Sequence, residues 1–331
     1  MYNQRYHEGN IGDHRFLVTG GAGFIGASIV EYLLQHNAGM VRVLDDFCTG
    51  SMDNIKDYLH HPCFELIAGD IRNLDTCKRA VKGMSYVSHQ AALGSVPRSI
   101  NDPIATNEIN SGGFLNMLIA ARDAGIKKLV YASSSSVYGD HTGTPQAEDI
   151  IGKPLSPYAV SKYTNELYAE NFSRVYRFHT IGLRYFNVFG PRQNPAGAYA
   201  AVIPLFIQAA LNNEVAFIDG DGDQSRDFTF IENVVQANIK AMLVNTIARH
   251  EVMNIACGQQ TTLNQLWKVV CKIVGINLSA HYREERQGDV KHSLASIQKA
   301  YSNLGYQPEV SLQHGLKLTV DWYKAAFKAK L

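Results

Sequence analysis

The chain has 331 residues, 46% of them hydrophobic, and 31 basic against 30 acidic side chains leave a net charge of +1. That length can bury a large core, either as one α/β unit or as two closely joined domains. A near-neutral balance without a basic run excludes a nucleic-acid face or a membrane-surface helix, and no apolar run reaches the length of a membrane span.

Residues 1–14, MYNQRYHEGNIGDH, are polar, lack the apolar core of a signal peptide and read as a short loose tail. The five cysteines, Cys48, Cys63, Cys77, Cys257 and Cys271, are odd in number and form no C-x-x-C pair. This argues against a disulfide framework or a zinc knuckle, so no metal is expected and the compartment is read as reducing and cytoplasmic. From residue 15 strand-length apolar runs (16–18, 41–44, 64–67, 86–88, 129–132, 180–183) alternate with helical patterns such as 114–121. Repeated β-α-β units predict an α/β fold, a Rossmann-type doubly wound parallel sheet covered on both faces and spanning 15–190. After Pro191 helical patterns at 202–211, 234–243, 263–274 and 312–327 are joined by longer Gly- and Asp-containing connections. They predict a smaller, mixed α/β substrate domain over 191–331, with about 226–256 contributing to the first domain and a ligand cleft between the two.

The first strand runs into Gly20-Gly21-Ala22-Gly23-Phe24-Ile25-Gly26 and then into a helical pattern at 28–35. A strand, a glycine turn and a helix start let backbone N–H groups approach a pyrophosphate, with the partial positive charge of the helix end behind them. Asp45 stands nineteen residues beyond Gly26 at the end of the next strand, followed by Asp46 and Phe47. A carboxylate there accepts hydrogen bonds from an adenosine ribose and repels a 2′-phosphate, and no Arg or Lys follows at once, so NAD is favoured over NADP. Gly69-Asp70-Ile71 falls where the sheet's switch point would meet the adenine; a helix-start carboxylate is the equal alternative for Asp70.

The strand at 129–132 ends in Ser133-Ser134-Ser135-Ser136-Val137-Tyr138-Gly139. In a parallel sheet these hydroxyls lie at the ligand edge, although a turn of small polar residues looks the same in sequence. Twenty-four residues after Ser134 comes Tyr158, in PYAVSK, with Lys162 four further on. Pro157 suits the first turn of a helix, which stacks Tyr158 and Lys162 on one face. A free phenol is a poor base at neutral pH, and a nearby ammonium would pull its pKa toward the working range; the plain alternative is a Tyr and a Lys sharing a solvated face.

The loop TGGAGFIG, the run SSSSVYG and the Y-x-x-x-K of PYAVSK, in this order, resemble the extended short-chain dehydrogenase/reductase family, the group that contains the nucleotide-sugar epimerases. The resemblance spans nearly the whole chain. It implies bound NAD, Tyr158 as general base, Lys162 on the nicotinamide ribose and lowering the Tyr158 pKa, and Ser134, with Ser135 as a second hydroxyl, polarising the sugar oxygen. The NAD contacts it implies are Gly20, Gly23, Phe24, Ile25, Gly26, Asp45, Asp46, Asp70, Ile71, Ala91, Ala92, Asn110, Tyr158 and Lys162.

Family dehydratases carry an acid pair where this chain has Ser134-Ser135-Ser136, and hydroxyls of ordinary pKa serve poorly to eliminate water, so a 4-epimerase fits better. The blocks 91–99 and 197–204, with Asp289-Val290-Lys291-His292-Ser293, are similar to the bacterial UDP-N-acetylglucosamine 4-epimerases of surface polysaccharide (O-antigen) synthesis. Matching positions imply UDP-sugar contacts from Gly94, Ser95, Ser134, Ser136, Tyr158, Asn187, Gln193, Ala201, Val202, Arg226, Arg286, Asp289 and Ser293. Taken without the resemblance, each loop Arg reads as a solvated or ion-paired surface group. Ser293 replaces the bulky Tyr of relatives that reject N-acetyl sugars, which opens volume beside the sugar C2.

The resulting expectation is interconversion of UDP-N-acetylglucosamine and UDP-N-acetylgalactosamine through a 4-keto sugar. The corresponding uronic acids, or UDP-glucose and UDP-galactose, are the alternative substrates. A non-catalytic NAD-sensing protein on the same fold is the rival class, and would be expected to have lost Tyr158 or Lys162. The helical stretches 104–124 and 158–174 are long enough to pair with copies of themselves, and the resemblance implies a homodimer through a four-helix bundle.

Overall fold

The computed structural model describes residues 1–195, 201–247, 249–284 and 291–328. Seven strands form the central sheet: β1 (Arg15–Thr19), β2 (Met40–Asp45), β3 (Phe64–Ala68), β4 (Tyr86–His89), β5 (Lys128–Ser134), β6 (Thr180–Tyr185) and β7 (Glu251–Ile255). Their order is β7-β6-β5-β4-β1-β2-β3, and each adjacent pair is parallel. The chain order reverses beside β1, so the C-terminal ends of β1 and β4 open the crevice in which a doubly wound sheet binds its ligand.

The period-2 geometry of the strands divides the core. Phe16 and Val18 of β1 enter one hydrophobic cluster and Leu17 the other, so both faces must be covered. The helices are α1 (Phe24–Gln35), α2 (Leu74–Val81), α3 (Val96–Asn101), α4 (Pro103–Asn107), α5 (Phe114–Asp123), α6 (Pro157–Tyr176), α7 (Val202–Leu211), α8 (Ile231–Leu243), α9 (Leu263–Val274), α10 (Gln298–Leu304) and α11 (Leu312–Lys328). Helices α1 and α8 cover one face, while α2, α5 and α6 cover the other. Helices α7, α9 and α11 pack together and extend the first cluster into the later part of the chain, with Phe206 edge-on to Trp267. After α7, α8 and β7 return to the sheet.

Two departures from the sequence reading have physical causes. The first fourteen residues are not loose. Tyr2 and Ile11 are each only 1% exposed, and Tyr6 is buried with its ring stacked on Tyr32 of α1. The Tyr6 N–H donates to the Tyr32 hydroxyl (2.7 Å), and the Tyr6 hydroxyl donates to Glu232 of α8 (3.1 Å). A stretch that looks polar by composition thus carries three large side chains, Tyr2, Tyr6 and Ile11, that bury their apolar bodies against the domain. The second departure lies at 104–124, where the helix is interrupted by a wide π-helical turn, Glu108–Gly113, between α4 and α5. That turn rotates Asn110 inward to bond across to Leu93, a use typical of π turns near functional sites.

Among the described residues no helix is long and apolar enough to cross a membrane, and no cluster of His, Cys, Asp or Glu could hold a metal ion. All five cysteines are free.

Candidate active site

Because the strands run parallel, the residues that follow their C-terminal ends share one edge of the sheet. At β1 that edge is the glycine turn. Gly20 takes φ 66°, and a Cβ on Gly26 would lie 2.1 Å from the Gly20 carbonyl oxygen, so the turn closes only with glycine at both positions. Helix α1 then begins at Phe24 and Ile25 behind Gly23, which supplies no side-chain cap, and its first turn carries no acidic residue. Its leading N–H donors are left for an anion, the arrangement a pyrophosphate requires.

Asp45 ends β2 buried, accepting from Ala22 N–H and Phe47 N–H at 2.8 Å each. Burial raises its pKa while those two donors oppose the rise, and each oxygen keeps a lone pair for a hydroxyl donor. Asp46 is exposed beside it and receives Cys48 N–H. Asp70, after β3, pairs with Arg72 at 2.6 Å, which lowers its pKa; Asn73, not Asp70, caps α2. Ile71 is buried against Gly113, and Ala91 N–H donates to Thr19 (3.3 Å), which brings the Ala91 and Ala92 turn beside the glycine loop. Asn110 is buried, brackets the Leu93 backbone and donates to Ser161 on α6. A glycine cradle, an uncapped helix end and a buried acceptor-only carboxylate fit the pyrophosphate and ribose of NAD.

Helix α6 starts cleanly, with Ser156 accepting from Ala159 N–H and Pro157 in the first turn. This fixes half-buried Tyr158 at the edge of the sheet, beside the Ser134 hydroxyl. Ser134 also accepts from Ser136 N–H (3.1 Å) and donates to the Ser136 hydroxyl (3.1 Å), while Ser135 opens the turn that follows. Lys162, one helical turn on, is buried, and its Nζ donates to the Ala132 carbonyl (2.9 Å) while standing 5.8 Å from the Tyr158 ring centre.

The electrostatics of the protein without its cofactor run in the other direction. Burial raises the Tyr158 pKa and the Ser134 hydroxyl only opposes that rise; burial likewise lowers Lys162 to about 8. In the protein alone desolvation outweighs any lowering of the phenol by Lys162, because the ammonium is itself desolvated and bonded to a backbone carbonyl.

The other candidates come mostly from later in the chain. Asn187, at φ 36°, follows β6 and donates to the Asp227 carbonyl (3.1 Å). Gln193 donates to Val188 O, and its buried Oε1 finds no partner among the described residues. Arg226 donates to Ser225 O (2.9 Å), and buried Ser293 donates its N–H to the same residue's carbonyl (3.1 Å), so Arg226 and Ser293 lie on adjacent backbone segments. Ala201 and Val202 form the start of α7, Gly94 has open space around its Cα, and Ser95 caps α3. Arg286 and Asp289 lie outside the described residues.

Sequence reasoning missed several groups that build this site. The Asp227 carboxylate is buried and accepts from Cys257 N–H, Gly258 N–H and Ala295 N–H, tying the Arg226 segment to the Ser293 segment. Burial pushes its pKa up to about 6 against those donors. His89, beneath the Ala91 turn, bonds Thr19 (2.9 Å), and burial, with Lys162 adding to it, depresses its pKa to about 3. Glu166 and Arg184 form a buried pair behind Ser133. The available signal for Asp227 and Glu166 was adjacency, beside Arg226 in one case and four residues after Lys162 in the other.

A dinucleotide-binding sheet edge that carries a Tyr, Lys and Ser constellation is the equipment of an enzyme that oxidises and reduces a hydroxyl on a bound small molecule. The pattern described as "NAD dependent epimerase/dehydratase family" matches residues 16–256. A putative UDP-glucose 4-epimerase of Methanocaldococcus jannaschii is 39% identical, covering 93% of this chain and 98% of its own. Among solved structures, a UDP-N-acetylglucosamine 4-epimerase of Methanobrevibacter ruminantium, in complex with UDP-N-acetylmuramic acid, superposes with TM-score 0.90 at 38% identity, covering 95% and 99%. A UDP-glucose 4-epimerase of Thermotoga maritima with UDP-glucose gives 0.88 at 36% identity, again covering 95% and 99%. The chain belongs to the NAD-dependent epimerase/dehydratase family and is an NAD-dependent nucleotide-sugar epimerase.

Proposed function

We propose that this enzyme interconverts UDP-N-acetylglucosamine and UDP-N-acetylgalactosamine, in the cytoplasm and in service of surface polysaccharide synthesis. The observation that carries the choice of sugar is Ser293, small and buried on the segment beside Arg226. A hydroxymethyl group there leaves room for an acetamido substituent that a phenol ring would exclude. The family resemblance of the sequence around Ser293, and the likeness to the M. ruminantium enzyme, support the reading. UDP-glucose, named for the M. jannaschii and T. maritima proteins, is the second reading, and the same serine would tolerate its smaller C2 hydroxyl.

In this proposal Tyr158 takes the proton of the sugar 4-hydroxyl while Ser134 donates to the same oxygen and holds it in line. Lys162 stabilises the phenolate that Tyr158 must form first. NAD, when bound, accepts and returns the hydrogen at C4 with its electron pair and places positive charge near the phenol. The 4-keto sugar turns over before reduction, so firm grip must fall on the nucleotide, through charge-assisted bonds from Arg226 and hydrogen bonds from Asn187 and Gln193. A purified sample incubated with UDP-N-acetylglucosamine and no added cofactor is expected to form the galacto epimer. Absence of conversion with each UDP-hexosamine and uronate would refute the proposal.

The same proposal includes a homodimer. Helices α3, α4 and α6 pack together and leave Ile100, Ile104, Val160, Leu167 and Val175 exposed, Ile104 by 72%. An apolar face of this kind is covered at little cost by a second copy. Sedimentation is expected to give a dimer for the native chain and a monomer for Leu167→Glu.

A further inference from the structure

We infer that Glu166 is a positioning residue for the reaction: with Arg184 it clamps the catalytic helix α6 to the ends of β5 and β6, setting Tyr158 against Ser134. The inference rests on Tyr158 being the base. Tyr158, Lys162 and Glu166 follow one another at intervals of four along α6 and so form one stripe facing the sheet. The stripe meets three successive residues of β5. Tyr158 lies beside Ser134, Lys162 donates to the Ala132 carbonyl, and Glu166 accepts from the Ser133 hydroxyl at 2.5 Å.

Arg184 closes the clamp from the neighbouring strand. It is the register partner of Ser133 across the β5/β6 ladder, so helix and both strands meet at one level, one residue before Ser134. Its Nε and one terminal nitrogen donate to the two Glu166 oxygens at 2.9 and 2.8 Å, a bidentate fork. The other terminal nitrogen donates to Glu148 O, and the guanidinium lies 4.9 Å from the centre of the Tyr138 ring. The pair is 6% and 4% exposed, too dry for water to replace either partner. A planar fork tied to two strands resists sliding and rotation of the helix, whereas the single Lys162 bond leaves both open.

The clamp also sets the charge behind the base. Glu166 stands one turn from Lys162 and two turns, about 12 Å along the axis, from Tyr158. Neutralised by Arg184, it leaves the ammonium of Lys162 without a competing carboxylate. Uncovering either charge reaches Tyr158 with opposite sign. Glu166→Gln leaves a cation, which favours phenolate; Arg184→Met leaves an anion, which disfavours it.

The test measures kcat, KM and the acid limb of kcat/KM on UDP-hexosamine for the NAD-containing wild type, Glu166→Gln, Arg184→Met and Tyr158→Phe. Tyrosinate absorbance is titrated for each form against the same form carrying Tyr158→Phe. Both clamp variants are expected to lose about 10²-fold in kcat, the effect of an ångström of misplacement, with KM within about threefold. The acid limb and the Tyr158 titration should move to lower pH in Glu166→Gln and to higher pH in Arg184→Met. Folded variants with wild-type kcat and an unmoved titration would overturn the inference. Should an uncovered charge prevent folding, the double variant Glu166→Met/Arg184→Met is the arbiter, since an apolar pair restores stability without restoring the fork. Its kcat should fall about tenfold or more with the titration in place, and full activity would overturn the clamp. Retention of activity by Tyr158→Phe would instead refute the base assignment on which the inference stands.

Discussion

Where α6 meets β5, the working groups are committed to protein partners: Lys162 to Ala132, Glu166 to Ser133 and Arg184, and Ser161 to both Asn110 and the Tyr158 carbonyl. The segments proposed to hold the nucleotide sugar are short turns and a two-residue strand around Arg226, with Gln193 Oε1 buried and unsatisfied among the described residues. The contrast separates two tasks. Proton transfer needs an acid-base pair held to fractions of an ångström, so its supports are long elements with redundant bonds. Sugar recognition needs polar groups left open for the ligand, and the proposal assigns it to segments where the backbone is cheapest to alter.

The comparison is broken most severely at the base. Tyr158→Phe is expected to lower kcat by about 10³-fold or more while UDP-sugar affinity, measured by calorimetry, stays near wild type. Lys162→Met should cost about 10²-fold and move the acid limb of the pH profile upward, because the phenolate loses its cation; a downward shift would contradict the role given to it.

In the proposed sugar-binding segments the effect should be on selectivity. Ser293→Tyr is expected to change the ratio of kcat/KM for UDP-N-acetylglucosamine over UDP-glucose by about 10²-fold against the acetylated sugar, with turnover of UDP-glucose retained. An unchanged ratio would remove Ser293 from the sugar pocket.

The smallest effect concerns His89 in the support beneath the cofactor loop. Its folded pKa, depressed to about 3, lies below its unfolded value, so the unfolded chain binds the extra proton and stability falls as pH drops through the region of the unfolded pKa. Between pH 7 and pH 5 this linkage is worth about 2 kcal/mol. Urea unfolding of His89→Gln should show that much less loss over the interval, with His7 and His250, both depressed to about 4, adding to the remaining loss and Asp227, raised to about 6, opposing it.

The sheet was readable because β-α-β alternation, a glycine turn and Asp45 at its spacing all depend on local sequence. Tyr158 and Lys162 were readable as a pair for the same reason. What makes them a device was not: the bond from Ser133 to Glu166 and the fork from Arg184 depend on the register of β5 against β6, which no spacing along the chain encodes. Asp227 was hidden in a similar way, since its three backbone donors come from residues 30 to 68 positions away. The docked start of the chain was misread because Tyr2, Tyr6 and Ile11 stand singly among polar residues with no apolar run or period, while their side chains bury all the same. Arg286 and Asp289, named from the resemblance, fall outside the described residues and remain proposals.

The central claim, epimerisation at C4 through a keto sugar that turns over in a loosely gripped pocket, is tested most directly with UDP-N-acetylglucosamine deuterated at C4 and the enzyme as purified. The account predicts UDP-N-acetylgalactosamine that keeps its deuterium at C4, read by mass spectrometry and NMR. Product with hydrogen from solvent at C4, or no product at all, would contradict it.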